Sequence, residues 1–319
     1  MKTRTSPLLI ALIATSPLHA GSVFPEADKA IPAATPEGGF ANARRPISNP
    51  TLFDLAVPTT NIHPIFLHQS LPGHVNTTAG NVPMGGDFQV YALQFEIALN
   101  ERLSLVATKD GYVDINPDNA LWGDESGFAN LGAGLKYAFV YDPATSTAVS
   151  GTMTFELPTG NHDVFQGEGD GSVNLILSAL KLWGDLQVAG GAGVSLPLDD
   201  QLATTSFVSA HVSYEVSPWF IPLVELNWHH VLDTGDGRAN FHSQAGGLVP
   251  VIAEFEGGDL LNFGASNASA NRDFVSAAIG FRSSIAEGVD VGFAYEIPLT
   301  NEHDGIMKDR FTLDLIWRF

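Results

Sequence analysis

The chain of 319 residues carries 15 basic and 35 acidic side chains, a formal net charge of −20, and no cysteine. This charge excludes nucleic acid as a partner, because its phosphates would be repelled. The lack of cysteine excludes a disulfide scaffold and a lipid-modified cysteine. Charged residues make up only 16% of the chain, fewer than is usual for a water-soluble protein. The composition indicates a surface that faces something other than water, and no cofactor or metal is predicted.

The first 20 residues have the pattern of a secretory signal peptide. Lys2 and Arg4 give a positive start, residues 7–16 are mostly apolar, and Ala20 is a small residue at the predicted cleavage site. The apolar run is far shorter than the ~20 residues that span a bilayer, which disfavours a membrane anchor. Residues 21–58 are rich in proline, alanine and glycine without a regular period. We expect a periplasmic segment that is either mobile or packed as a plug inside the following domain.

Apolar and polar residues alternate strictly through most of the chain after the first 60 residues. This period of two sends successive side chains to opposite faces of a β-sheet. It predicts twelve strands, at about 61–69, 87–99, 102–110, 128–140, 146–158, 171–183, 186–198, 204–216, 220–232, 273–283, 288–299 and 309–319.

Short and long connections alternate between the predicted strands, as they do in transmembrane barrels, where short turns are periplasmic and long loops lie outside. The predicted fold class is all-β: an antiparallel transmembrane β-barrel of about 12 strands over residues 59–319, with both termini periplasmic. The predicted location is the cell outer membrane. A soluble β-sandwich also has alternating strands, but most of these strands exceed the ~5–6 residues usual in soluble sheets.

The final segment, Asp309-Arg-Phe-Thr-Leu-Asp-Leu-Ile-Trp-Arg-Phe319, resembles the C-terminal insertion signal of bacterial outer-membrane proteins. Alternating hydrophobic residues end in an aromatic at the last position: Phe311, Leu313, Leu315, Trp317 and Phe319. In that family the barrel-assembly machinery reads the last strand. The resemblance therefore implies this machinery and outer-membrane lipid as partners.

Two internal segments carry a second resemblance. Ile65-Phe-Leu-His-Gln-Ser-Leu-Pro72 and Ala107-Thr-Lys-Asp-Gly-Tyr112 are similar to outer-membrane transporters of the phenol-degradation (MetA-pathway) type. This resemblance implies a small solute as a further partner, but it carries over no functional residues.

The alternation also predicts the side chains that line the lumen. They carry charges of both signs: Glu96, Lys136, Glu156, His211, Glu215, Glu225, Asn227, His229, Arg282, Asp290, Glu296, Arg310 and Asp314. A three-residue turn after the eighth predicted strand would place His211 opposite Glu225. A five-residue turn after the tenth would place Arg282 opposite Asp290. Structural pairs within the lumen and a constriction that selects solutes by charge both remain open.

The predicted function is a channel or transporter for small solutes, among them hydrophobic or aromatic ones, and not an enzyme. A twelve-stranded barrel lies between small filled barrels and open porins, so a narrow pore and a plugged transporter are both open. The alternative is a non-transporting barrel with a structural, adhesive or receptor role. A lipid hydrolase is disfavoured: His211-Val-Ser213 resembles the arrangement of a lipid A deacylase, with Glu215 as the acid, but these residues are predicted to face the lumen.

Overall fold

The computed structural model describes residues 38–119, 123–241 and 247–319. The predicted signal peptide lies outside the described residues. Within them the strands are β1 (Asn61–Ser70), β2 (His74–Thr77), β3 (Gly80–Pro83), β4 (Asp87–Ala98), β5 (Leu103–Lys109), β6 (Tyr112–Asn116), β7 (Glu125–Phe128), β8 (Leu131–Asp142), β9 (Thr147–Leu157), β10 (Ser172–Trp183), β11 (Leu186–Pro197), β12 (Thr204–Tyr214), β13 (Ile221–Asp233), β14 (Asp273–Ala286), β15 (Val289–Pro298) and β16 (Asp309–Arg318). The described helical elements are α1 (Val249–Ile252) and 3-10 turns at Gly38–Phe40, His162–Val164 and Glu302–Asp304.

The strands close into an antiparallel barrel. β1 pairs with β4 on one side and with β16 on the other, so the sheet has no break between its first and last strands. β5 and β6 follow one another along β4, and β7 and β8 likewise form one interrupted strand. With these pairs merged and the separate β2–β3 hairpin set aside, the barrel has the predicted twelve strands, which confirms the predicted all-β antiparallel barrel. The periplasmic position of both termini stays a prediction.

The third and fourth barrel strands are longer than the sequence analysis predicted. Residues 111–127 were expected to form a loop, but β6 and β7 continue the sheet through most of this range. Tyr112 pairs with Tyr91, and Asn116 pairs with Asp87. The alternation of Val113 and Ile115 with polar neighbours therefore belongs to a strand and not to a loop.

A β-bulge interrupts the ladder between β4 and the β5–β6 strand. Between the pairs Phe95–Ala107 and Tyr91–Tyr112, three residues of β4 face four residues of its neighbour. Asp110 Oδ1 accepts a hydrogen bond from the backbone N–H of Leu93 at 2.9 Å. A side chain thus replaces a ladder partner, as bulges require when the extra residue leaves a backbone group unpaired.

The outer surface of the barrel is apolar and its inner surface is polar. Large hydrophobic side chains on nine strands are 41–64% exposed: Leu93, Phe95, Leu135, Met153, Leu177, Val208, Leu226, Ile279, Tyr295 and Leu313. Trp317 and Phe319 of the predicted insertion signal are also exposed. None of the described helices is long and apolar enough to cross a membrane. A soluble protein would place most of these residues inside. The apolar outer surface is therefore suited to contact with the hydrocarbon of a membrane.

Candidate functional site

The N-terminal segment, residues 38–60, runs inside the barrel before β1 begins. Phe40, Ile47 and Phe53 have no exposed surface. At its start the backbone at Gly39 lies so close to Pro143 that an added Cβ would fall 1.9 Å from the carbonyl oxygen. We call residues 38–60 the plug, because their backbone occupies the lumen.

Carboxylates of the barrel wall hold the backbone of the plug. Glu225 accepts hydrogen bonds from the N–H groups of Ile47 at 3.0 Å and Ser48 at 2.7 Å. Glu96 accepts one from the N–H of Thr59 at 3.2 Å. Buried backbone N–H groups need such partners, so these acids have a structural role.

Two arginines of the plug bind the wall through their side chains. Arg44 lies 3.3 Å from Glu215 and 3.9 Å from Asp290. Arg45 donates to Gln94 of the wall at 2.8 Å and lies 3.2 Å from Asp54 within the plug itself. These contacts fix the plug to several strands at once.

A buried lysine extends the charge network. Lys136 bridges Asp54 of the plug, at 2.5 Å, and Glu96 of β4, at 2.9 Å. Both acids and the lysine are almost fully buried. Removal of one member of such a buried pair leaves an uncompensated charge, which is strongly destabilising.

The predicted pair of Arg282 with Asp290 is wrong. Arg282 lies opposite Gly292 in the ladder, and its guanidinium bonds both oxygens of Asp314, at 2.8 and 2.7 Å. The β14–β15 turn is shorter than predicted, and a bulge near Ala286 shifts the register. By contrast, His211 does lie opposite Glu225, at 2.7 Å.

The other predicted lumen residues also lie on the buried face. Asn227 donates to Ser48 of the plug at 2.9 Å and to Glu296 at 3.0 Å. His229 is buried with its ring 6.2 Å from that of Phe274. Glu156 lies 2.6 Å from Lys109, a residue that was not among the predicted lumen residues.

The long connection between β13 and β14 closes the opposite end of the lumen. Asp259 in this connection accepts two hydrogen bonds from Arg310, at 3.0 and 2.9 Å. Asn262 is bonded to the N–H and carbonyl of Ala203. Thr51 of the plug donates to the carbonyl of Asp259 at 3.3 Å, so the plug and this connection meet inside the barrel.

An apolar cavity lies among the long loops. Its empty volume is about 620 Å³, which includes space open to solvent. Its wall is formed by apolar side chains such as Val75, Phe88, Ile252 and Phe263. The β2–β3 hairpin covers one side and is bonded to α1 through Thr78 N–H and the Ile252 carbonyl, at 3.0 Å. We call this space the outer cavity.

Two further cavities continue from it beside the plug. The middle cavity, about 510 Å³, shares Phe88 and Leu261 with the outer cavity and reaches Asp110 at the bulge. The inner cavity, about 620 Å³, shares Leu261 and Lys109 with the middle one. The three cavities are therefore neighbours around Leu261, the outer one among the long loops and the other two beside the plug.

A set of hydrogen-bonded side chains like that of a hydrolase is present, but it is buried inside the barrel. His211 lies 2.7 Å from Glu225 and 2.9 Å from the hydroxyl of Ser213. Glu215, the acid weighed for this role from the sequence, binds Arg44 instead. His211 is fully buried and lines none of the three cavities. Glu225, the partner of His211, also accepts the hydrogen bonds from the backbone of the plug.

The sequence matches no protein-family model and no curated protein. Among solved structures, the backbone is similar to the COG4313 outer membrane channel from Pseudomonas putida F1, with a TM-score of 0.55, 14% identity, and coverage of 82% of this chain and 95% of that one. The NanC porin has a TM-score of 0.47 and 7% identity, with 82% and 100% covered. The beta domain of the Bordetella autotransporter BrkA has a TM-score of 0.47 and 11% identity, with 82% and 99% covered. The protein has the fold of an outer-membrane β-barrel.

Proposed function

We propose that the protein transports small apolar solutes across the outer membrane and is not an open, water-filled pore. The observation that carries this proposal is the outer cavity, whose apolar wall includes Phe88 and Phe263. Small-molecule sites are concave and mostly apolar, and the outer cavity has this character. An apolar solute gains ~25 cal/mol for each Å² that it removes from water.

The closed lumen supports an apolar rather than a hydrophilic solute. A hydrated ion would have to displace the plug from buried partners such as Lys136 and Glu225. It would gain nothing from the outer cavity, which has no polar wall to replace its hydration. An apolar solute gains free energy when it leaves its hydration water, and it can occupy that cavity with the plug in place.

Two neighbouring residues of α1 offer a matched test. Ile252 lines the outer cavity, whereas Val251 is 49% exposed and does not line it. We expect Ile252→Asp to weaken naphthalene binding at least ~10-fold, because it places a charge in the apolar wall. Val251→Asp is expected to bind as the unmodified protein does.

Binding is measured by equilibrium dialysis of radiolabelled naphthalene against the protein in lipid nanodiscs, with protein-free nanodiscs as the partition blank. Equal binding by both variants, or no binding above the blank, would contradict the proposal. The second result would favour a barrel with a structural, adhesive or receptor role.

A further inference from the structure

The inner cavity contains hydrogen-bonding groups that the protein does not use. The hydroxyls of Thr108, Ser172, Ser195 and Thr205 line it and have no hydrogen-bond partner among the described residues. The amide of Asn174 lines it too, and only its nitrogen is bonded, to Thr154 at 3.3 Å. Polar groups inside proteins are normally paired with protein or water, so these groups are available to an occupant.

The charges that line the same cavity are already paired. Lys109 lies 2.6 Å from Glu156, which also accepts a hydrogen bond from Asn130 at 2.8 Å. Asp259 is held by two hydrogen bonds from Arg310. An ionic occupant would have to break one of these pairs, whereas a neutral one would not.

The free groups match a neutral polar function on the occupant. A hydroxyl both donates and accepts hydrogen bonds, and the free side chains are four hydroxyls and one amide oxygen. An occupant with a hydroxyl or carbonyl group can therefore bond to them in more than one orientation. A pure hydrocarbon would leave all of them without a protein or ligand partner.

The apolar middle cavity lies next to the free hydroxyl and amide groups of the inner cavity. Thr108 and Lys109 line both the inner and the middle cavity. The middle cavity is otherwise lined mainly by apolar side chains such as Leu67, Val90 and Val113. The two cavities are therefore neighbours, and a molecule that spans them would have its apolar body in the middle cavity and its polar end in the inner one.

From this arrangement we infer that the transported solute is a neutral amphiphile, with an apolar body and a hydroxyl or carbonyl end that binds in the inner cavity. This inference rests on the proposed function, because it assumes that solutes enter through the outer cavity. The polar end is the feature that distinguishes a preferred solute from other apolar molecules of the same size.

The chain offers two matched pairs of hydroxyls for a test. Ser195 and Thr205 are ladder neighbours on β11 and β12 and line the inner cavity. Ser150 and Ser178 are ladder neighbours on β9 and β10, are buried without a partner, and line none of the three cavities. The test variant is Ser195→Ala/Thr205→Val, and the control variant is Ser150→Ala/Ser178→Ala.

The probes are four fluorinated eight-carbon compounds: 8-fluorooctan-1-ol, 1-fluorooctane, 8-fluorooctanoate and 8-fluorooctylamine. Their binding to the protein in nanodiscs is measured by ¹⁹F NMR, with protein-free nanodiscs as the blank for each probe. We expect the alcohol to bind at least ~10-fold more tightly than the other three. The test variant is expected to lose this preference, and the control variant is expected to keep it.

The possible failures are distinguishable. If the alcohol and the fluoroalkane bind equally and the test variant has no effect, the inner cavity holds water only, and the inference is overturned while apolar transport stands. If the carboxylate binds best, Lys109 recognises an anion and the inference is also overturned. If no probe binds above its blank, the proposed function fails as well.

Discussion

At the scale of single residues, Glu256 differs from the other buried acids of this barrel. It lies in the connection between β13 and β14, outside the membrane-spanning strands. Its carboxylate accepts hydrogen bonds from the N–H groups of Phe263 at 2.6 Å and Ala265 at 2.7 Å. No cation among the described residues forms an ion pair with it. Burial raises the pKa of Glu256 to about 7, although the backbone N–H bonds oppose this effect.

We predict that the docking of this connection depends on pH through Glu256. Its pKa is raised in the docked state above the ordinary value of 4.5, so the docked state binds the proton more tightly than the undocked state. The docking free energy is therefore greatest below about pH 4.5 and falls as pH rises through about 7, by ~3 kcal/mol at most. Hydrogen exchange of residues 255–265, corrected for intrinsic rates, should show faster opening at pH 8.5 than at pH 5.

Glu256→Gln should remove this pH dependence, because the amide does not titrate. Glu254→Gln is the control, since the side chain of Glu254 forms no hydrogen bond to another described residue. A pH dependence that persists in Glu256→Gln would contradict the assignment.

At the scale of strands, alternation was sufficient to place most of the wall, but not its irregularities. The pair His211–Glu225 follows from alternation and a short turn, and the structure confirms it. The pair Arg282–Asp290 failed because β14 extends to Ala286 and β15 begins at Val289, which leaves a two-residue turn in place of the predicted five-residue turn. The bulge at Asp110 was missed because an extra residue has no period of its own.

The bulge at Asp110 makes a testable contribution to stability. Asp110→Ala would leave the N–H of Leu93 without its partner inside the wall, at a cost of ~1–3 kcal/mol. Asp110→Asn keeps an acceptor oxygen and is expected to lose less. The free energy of unfolding is measured by urea titration of the refolded protein in micelles, with mobility on unheated gels as the readout.

Asp114→Ala is the control, because the side chain of Asp114 lies on the same strand and accepts no hydrogen bond from the described residues. Equal stability of Asp110→Ala and Asp114→Ala would show that the carboxylate of Asp110 does not hold the bulge.

At the scale of the whole molecule, two insertions close the barrel from its two ends. The plug enters beside Pro143, and the connection between β13 and β14 descends from the long loops to meet it at Thr51 and Asp259. The sequence left a mobile segment and a plug equally open for residues 21–58, because irregular backbone has no period. Arg44 and Arg45, two adjacent charges in that segment, were the available signal, but their partners become neighbours only after the barrel closes.

The central claim is that the plug closes the lumen to ions, while apolar solutes can still bind in the outer cavity. Planar-bilayer conductance of the refolded protein tests this claim most directly, with the intact chain compared with a variant that lacks residues 38–58. Glu96→Gln/Glu225→Gln, which weakens the hold on the plug without a deletion, provides a second comparison, and gel mobility verifies that each protein is folded. We predict no steady conductance from the intact protein and stepwise ion currents from the folded variants. A steady ion current through the intact protein, equal to that of the variants, would contradict the account.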